Sequence, residues 1–201
     1  MSHKLVPVLV AVAVAVPVGV GAVAAFGGGD QAKGGREIRF TAAGDYGFGP
    51  AAHATLALIG RLRPTFHLAL GDLSYAGPRS EQRWCRFVTD AVGRVPFEVL
   101  AGNHEEDSGG DGYIDRFAAC LPDRMRAKGR YGTEYYFDVA GLARVILISP
   151  DLTVAGRHYY YGRGNARSRW LRAAVRGARA KRLPWVVVGM HKNCLSGRSR
   201  K

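Results

Sequence analysis

The feature that most constrains this chain is a pattern found at the ends of four predicted strands. Each strand is apolar, ends in or next to glycine, and is followed by a potential metal ligand. The strands are predicted over residues 37–43, 65–70, 96–101 and 185–189, and the side chains that follow them are Asp45, Asp72, Asn103 and His191. Ligands of open α/β sheets bind beyond the carboxyl ends of the strands. The pattern therefore predicts one site assembled from four distant segments.

The remaining periodicity indicates a single α/β domain. Helical spacing predicts helices over residues 51–62, 80–92, 113–120 and 166–181, the second of which opens with a capping pattern. Residues 135–139 and 143–149 are predicted to form a hairpin joined at Ala140-Gly141. Strands that alternate with helices favour an α/β fold. The 201 residues, of which 47% are hydrophobic, suffice for one domain with a sizeable core.

The N-terminal segment is apolar. Residues 5–26 follow Lys4 and carry no charge. This apolar run is long enough to span a bilayer. Ala22-Val23-Ala24 also resembles a signal-peptidase site. A buried core helix is the disfavoured alternative, because so long an apolar run at a terminus is rarely core. We expect residues 1–30 to be a signal peptide or a membrane anchor, 31–35 a linker and 36–201 the domain. Either alternative places the domain outside the cytoplasm.

The three cysteines fit an oxidising compartment. No CxxC motif occurs, so a zinc ribbon or a thioredoxin-like site is disfavoured. Cys85 and Cys120 could pair, which would leave Cys194 without a partner.

The positive charge is concentrated in the last quarter of the chain. Residues 1–151 hold 16 basic and 16 acidic side chains, whereas residues 152–201 hold 13 basic and no acidic ones, which gives the net charge of +13. A solvated helix face is the favoured interpretation, and attraction of an anionic partner is the alternative. Nucleic acid is disfavoured because no known nucleic-acid-binding module is present.

Four short blocks, in order, carry a resemblance to a known family. They are Gly44-Asp45-Tyr46-Gly47, Gly71-Asp72-Leu73-Ser74-Tyr75, Gly102-Asn103-His104-Glu105 and Val187-Val188-Gly189-Met190-His191. The chain from about residue 36 to 191 resembles the calcineurin-like metallophosphoesterases, and specifically the purple acid phosphatase type. Gly47 stands where the wider superfamily has a histidine, and Tyr75 follows Asp72 by three residues. The resemblance implies a two-sheet sandwich flanked by helices.

The resemblance also implies a role for each matched residue. Asp45 and Tyr75 would bind a first metal ion, Asp72 would bridge two ions, and Asn103 and His191 would bind the second. His104 would act on the substrate phosphate, stabilising the transition state or protonating the leaving group. Asn103, His104 and Glu105 would contact the substrate, and Glu105 would also orient His104 or the loop. A phenolate ligand favours Fe(III), paired here with divalent Zn, Mn or Fe.

Two metal ions suit the hydrolysis of phosphate esters. Metal-bound water is far more acidic than bulk water, and a pair of ions can hold both the hydroxide nucleophile and the phosphate oxygens. The expected substrate is a small phosphate monoester. A phosphodiesterase or nuclease of the same superfamily is the alternative, and the sequence does not specify the oligomeric state.

One block of the family is absent. The resemblance leads us to expect a Gly-His-x-His block after His191, with one histidine for each ion, but no histidine follows His191. Five of seven protein ligands are therefore present, and the sheet is expected to lack its last strands. On this interpretation the chain is truncated and its activity is doubtful, and a non-catalytic fragment is a further alternative.

Overall fold

The computed structural model describes residues 37–192, together with the backbone of two short strands nearer the N-terminus. The expectations for the signal peptide or anchor and for the linker otherwise concern residues outside this part of the chain, as does the expectation for Cys194. No helix in the described ranges is both long enough and apolar enough to cross a membrane.

The described part of the chain contains eleven strands and four helices. The strands are β1 (Val8–Val10), β2 (Ala24–Ala25), β3 (Phe40–Ala43), β4 (Phe66–Leu70), β5 (Phe97–Leu100), β6 (Lys128–Arg130), β7 (Glu134–Val139), β8 (Ala143–Ile148), β9 (Thr153–Val154), β10 (Arg157–His158) and β11 (Trp185–Gly189). The helices are α1 (Pro50–Leu62), α2 (Glu81–Val92), α3 (Ile114–Cys120) and α4 (Ala166–Ala180).

Two sheets form the centre of the fold. One has the order β2-β3-β4-β5, in which β3, β4 and β5 run parallel. The other has the order β1-β11-β8-β7-β6, in which β11 runs parallel to β8. The strands β9 and β10 form a separate small ribbon. The predicted α/β two-sheet architecture is confirmed.

Apolar side chains from both sheets meet between them. Phe66 and Leu68 of β4 lie in one buried cluster with Phe137 of β7 and Leu147 of β8. A second cluster packs α1 and α2 against the outside of the four-stranded sheet, and a third packs α4 against the five-stranded sheet. The fold therefore has four layers, in the order helix, sheet, sheet, helix. In this arrangement the strands whose ends carry the predicted ligands are covered on both faces.

The predicted hairpin is confirmed. β7 pairs antiparallel with β8, and the two residues at the turn, Ala140 and Gly141, both have positive φ, at 52° and 71°. Val139 pairs with Ala143, so three residues connect the strands, and the backbone nitrogen of Leu142 donates to the carbonyl of Val139 at 2.9 Å within the turn.

A disulfide joins Cys85 of α2 to Cys120 of α3, a pairing that the sequence left open. It fastens the short helix α3, which follows the loop that carries His104, to the longer helix α2.

Two local expectations need correction. The strand predicted over residues 37–43, which is β3, begins at Phe40 instead of residue 37. Ser80 precedes α2 but makes no side-chain cap, because its hydroxyl donates to the carbonyl of Gly77 instead.

Candidate metal centre

All five predicted metal ligands meet at one edge of the sandwich, beyond the carboxyl ends of β3, β4, β5 and β11. Asp72 lies at the centre of the group. Its Oδ2 is 3.0 Å from the Tyr75 hydroxyl, and its Oδ1 is 3.3 Å from Nε2 of His191. The Tyr75 hydroxyl is also 3.0 Å from Oδ1 of Asp45. His191 Nε2 is also 3.1 Å from Oδ1 of Asn103. Oδ2 of Asp72 therefore faces Tyr75, which also contacts Asp45, and Oδ1 faces His191, which also contacts Asn103.

Two glycines allow the segments to approach one another. A Cβ on Gly71 would lie 2.6 Å from the backbone nitrogen of Gly102 and 2.9 Å from Nδ1 of His191. A Cβ on Gly102 would overlap the carboxylate of Asp72. Any larger residue at either position would displace a predicted ligand, which explains why glycine precedes Asp72 and Asn103.

Three of the five ligands have a left-handed backbone. The φ angles are 58° at Asp45, 52° at Asp72 and 49° at Tyr75. Such conformations are uncommon for residues other than glycine, most of all for a bulky one such as tyrosine. Strained residues tend to cluster at functional sites, where the surrounding fold holds them.

The hydrogen bonds of His191 leave one ring nitrogen available to a metal ion. Nδ1 is 2.8 Å from the carbonyl oxygen of Leu70, which can only accept, so Nδ1 carries the hydrogen. In the neutral ring Nε2 then has a lone pair, directed at the oxygens of Asn103 and Asp72. Nε2 of His191, Oδ1 of Asn103 and Oδ1 of Asp72 thus present three lone pairs to one another, an arrangement that fits a bound cation.

The identity of these ligands matters to that fit. Within residues 37–192, no three His, Cys, Asp and Glu side chains form a metal-binding group by themselves. The predicted set depends on the phenol of Tyr75 and the amide of Asn103 in addition to two carboxylates and one imidazole.

The phenol of Tyr75 is held in its protonated form by its surroundings. Burial, followed by the charges of Asp72 and Asp45, raises the pKa of Tyr75. A cation at this position would have to displace the proton. The ring lies beside Gly47, where a Cβ would be 3.7 Å from Cδ2 of Tyr75. Gly47 and the ring of Tyr75 are thus neighbours at an ordinary van der Waals distance.

Glu105 supports the site from behind. Its side chain accepts hydrogen bonds from the backbone nitrogens of Asp72, Leu73 and Gly102, at 2.9, 2.7 and 2.9 Å. The residue is only 1% exposed. Burial raises its pKa to about 7, against the opposing effect of the backbone hydrogen bonds. The resemblance implied that Glu105 contacts the substrate and orients His104 or the loop, and in the structure its carboxylate joins two ligand loops.

His104 lies at the mouth of the site. Its Nε2 is 3.7 Å from Oδ2 of Asp72, and its ring packs edge-on against Tyr75 with centroids 4.5 Å apart. Burial lowers the pKa of His104, but the hydrogen bond to Asp111 and the charges of Asp72 and Asp111 raise it by more. The backbone nitrogen of His104 also donates to Oδ1 of Asp72, at 3.1 Å.

Sequence reasoning missed Asp111, whose side chain contacts Nδ1 of His104. It lies in a glycine-rich loop seven residues after His104, outside every recognisable block. The available signal was weak, since an acidic residue in such a loop is ordinary.

The family of this chain follows from comparison with known proteins. The profile of the calcineurin-like phosphoesterase family matches residues 38–200, which is most of the chain and includes all five predicted ligands. The chain belongs to that family.

Individual relatives show which members of the family the chain is similar to. The chain is 34% identical over 161 residues to an uncharacterized protein of Mycobacterium tuberculosis, covering 73% of this chain and 30% of that protein. It is 30% identical to purple acid phosphatases 18 and 21 of Arabidopsis thaliana, over 77% of this chain and 35% of each relative. The chain thus spans about a third of the length of these curated relatives.

Proposed function

We propose that this domain hydrolyses phosphate esters, with small monoesters as the substrate class, at a centre of two metal ions. The observation that carries the proposal is the position of Asp72, one oxygen of which faces Tyr75, the neighbour of Asp45, while the other faces His191, the neighbour of Asn103. A carboxylate placed in this way is suited to bridge two cations. The similarity to purple acid phosphatases supports the same reaction.

The two pairs of ligands would suit different ions. Asp45 and Tyr75 offer hard oxygen donors that favour Fe(III), and His191 and Asn103 suit divalent Zn, Mn or Fe. When bound, such ions supply an acidified water molecule and neutralise charge on the phosphate. Asn103 adds a neutral oxygen, which leaves the second ion electrophilic.

The other residues of the site would contact the substrate, orient the ligand loops and give a proton to the departing ester oxygen. Asp45 and Tyr75 are exposed, whereas Asp72 is buried, so the site opens to solvent on the Tyr75 side. His104 lies at that opening, where Nε2 can contact a phosphate oxygen or the departing ester oxygen. Glu105 keeps the loops of Asp72 and Asn103 in register through three backbone hydrogen bonds.

An oxidising, extracytoplasmic location accompanies this proposal. The disulfide between Cys85 and Cys120 supports it, because such bonds persist mainly outside the reducing cytosol.

To test the proposal, the full chain is incubated with iron and zinc. Its hydrolysis of an aryl phosphate and of a bis-aryl phosphate is then measured. We expect faster turnover of the monoester, and a loss of about 10³-fold or more in Asp72→Asn, because that residue contributes to both halves of the site. Asp115→Asn removes one charge from an exposed side chain and serves as the control. Equal activity of the wild type and Asp72→Asn would refute the proposal, and preference for the diester would favour a phosphodiesterase.

The role of Tyr75 predicts a colour. If its phenolate binds Fe(III), the iron-loaded chain absorbs visible light through a tyrosinate-to-iron transition, and Tyr75→Phe loses that band. Absorption spectra of the two proteins at matched iron content make the comparison. A band that survives in Tyr75→Phe would remove the assignment.

A further inference from the structure

We propose that Asp111 is a positioning residue that fixes the tautomer and orientation of His104 for proton transfer at the site. This inference rests on the proposed function. It begins with the contact between Oδ2 of Asp111 and Nδ1 of His104. A carboxylate only accepts, so Nδ1 carries the hydrogen and Nε2 is the nitrogen left to face the substrate.

Asp111 is itself held by three further contacts to the two loops that form the site. Its Oδ1 accepts from the backbone nitrogen of Gly77 at 3.1 Å, and its backbone nitrogen donates to the carbonyl of His104 at 3.1 Å. The carbonyl of Asp111 accepts from the hydroxyl of Ser74 at 2.9 Å, and that hydroxyl is 3.0 Å from the hydroxyl of Ser80. Asp111 is therefore fixed to the loop that carries Asp72 and Tyr75 as well as to His104.

The path of the chain explains how a residue seven positions away returns to His104. A Cβ on Gly109 would overlap the carbonyl groups of Asn103 and His104, so the loop is closely wound at this point. Gly110 then has a φ of 82°, which reverses the chain. Asp111 emerges beside the imidazole as a consequence.

The orientation that results is productive for proton transfer. With Nδ1 bound to Asp111, the ring presents Nε2 to the metal-ligand side, 3.7 Å from Oδ2 of Asp72. The T-shaped contact with Tyr75 limits rotation of the ring. As a hydroxide oxygen bonds to phosphorus, the bond from phosphorus to the ester oxygen breaks and its electron pair goes to the ester oxygen, which takes the proton from Nε2 of the His104 imidazolium. The imidazole is left neutral with its remaining proton on Nδ1, still bound to Asp111.

The tautomer can be measured directly by ¹⁵N NMR of the histidine rings. We use the full chain with Zn(II), which is diamagnetic, at a pH where the His104 ring is neutral, and assign the signal with His104→Gln. We expect the Nδ1–H form in the wild type. In Asp111→Asn the amide can donate to Nδ1 while its oxygen keeps the Gly77 contact, so we expect the Nε2–H form. An Nε2–H tautomer in the wild type, or no change in Asp111→Asn, would overturn the inference.

Kinetics provide the second readout. A residue that directs proton transfer to the leaving group matters most when that group is a poor one. We expect Asp111→Asn to lower kcat by about 10²-fold or more for an alkyl phosphate, but by less than about 10-fold for p-nitrophenyl phosphate. An equal loss on both substrates would indicate a merely structural role and would overturn the inference.

A control and an independent check separate the possible failures. Asp115→Asn removes the same charge from an exposed position four residues along the chain, and should change neither readout. If the wild type hydrolyses no phosphate ester, the proposed function fails, but the NMR experiment still decides the role of Asp111.

Discussion

At the scale of single residues, the core holds a histidine that the metal centre does not use. His67 of β4 is fully buried, and its two ring nitrogens contact the hydroxyl of Thr41 at 2.7 Å and that of Tyr46 at 2.5 Å. Burial lowers the pKa of His67 from 6.5 to about 3. The ring is therefore neutral in the folded protein but takes up a proton on unfolding below pH 6.5.

This difference predicts an acid-dependent loss of stability. The stabilisation is fully present above pH 6.5 and is lost as the pH falls toward 3, by about 2 kcal/mol at pH 5. The substitution His67→Gln removes this titration. Between pH 7.5 and pH 5, the free energy of unfolding of the wild type should therefore fall by about 2 kcal/mol more than that of the variant. Urea denaturation at both pH values measures this, with His53→Gln on the exposed face of α1 as the control. A difference between His67→Gln and the wild type that does not change with pH would contradict the account.

Glu98 titrates in the opposite sense. It is fully buried in β5, its Oε1 accepts from the backbone nitrogen of Arg124 at 3.1 Å, and its Oε2 has no hydrogen-bond partner among the residues described. Burial raises the pKa of Glu98 to about 7, with a smaller upward effect from Asp123. The folded state therefore disfavours the carboxylate, and the destabilisation grows as the pH rises from about 4.5 to about 7.

Glu98→Gln should relieve this destabilisation. Relative to the wild type, we expect the variant to gain about 3 kcal/mol in free energy of unfolding between pH 4 and pH 8. Denaturation curves at the two pH values give the comparison, and Glu37→Gln at an exposed position is the control. A gain that is equal at both pH values would show that Glu98 ionises normally.

At the scale of elements, the packing of α1 against α2 depends on one glycine. Gly60 lies in the interior of α1, and a Cβ there would overlap the carbonyl oxygen of Ala91 and lie 3.3 Å from the Cα of Val92. Replacing glycine by alanine inside a helix normally stabilises it by about 1 kcal/mol. Here the contact is with backbone, which cannot rotate away.

We therefore expect Gly60→Ala to destabilise the protein. Overpacking costs about 1–3 kcal/mol, which exceeds the gain in helix propensity and leaves a net loss of about 1 kcal/mol. Thermal unfolding measures the change. Ala54→Gly, at an exposed position of the same helix, is the control, and it should lower stability by about 1 kcal/mol through helix propensity alone. Stabilisation by Gly60→Ala would show that the two helices separate freely.

The basic helix α4 is only partly paired. Arg167 binds the carboxylate of Glu134 at 3.1 Å and lies over the ring of Tyr159. The exposed arginines recur at helical spacing along one face, at positions 169, 172, 176 and 179. Exposed arginines suit both a solvated face and an anionic partner, so the solvated face that the sequence favoured stays a prediction.

At the scale of the whole molecule, most of the architecture could be predicted because it follows from local rules. Apolar runs of strand length that end in glycine define β4, β5 and β11, and the Ala140-Gly141 turn defines the hairpin of β7 and β8. The convergence of Asp72, Asn103 and His191 then follows from parallel strand ends at one edge.

The parts that could not be predicted depend on tertiary packing. Nothing in the sequence shows that Glu105 is buried and bonded to three backbone nitrogens. Asp111 reaches His104 only because the intervening loop is closely wound. The capping pattern at Ser80 failed because a nearby carbonyl, that of Gly77, competes for its hydroxyl. Contacts of this kind arise between segments and leave no periodic trace.

Metal content per chain, measured by elemental analysis of the purified protein and of Asp72→Asn, tests the central claim most directly. The account predicts close to two ions per chain in the wild type. It predicts the loss of both in Asp72→Asn, because that carboxylate faces both pairs of ligands. The Asp115→Asn control should keep the wild-type content. A wild-type chain without metal, or an Asp72→Asn variant that loses only one ion, would contradict the assignment of a bridged two-metal centre.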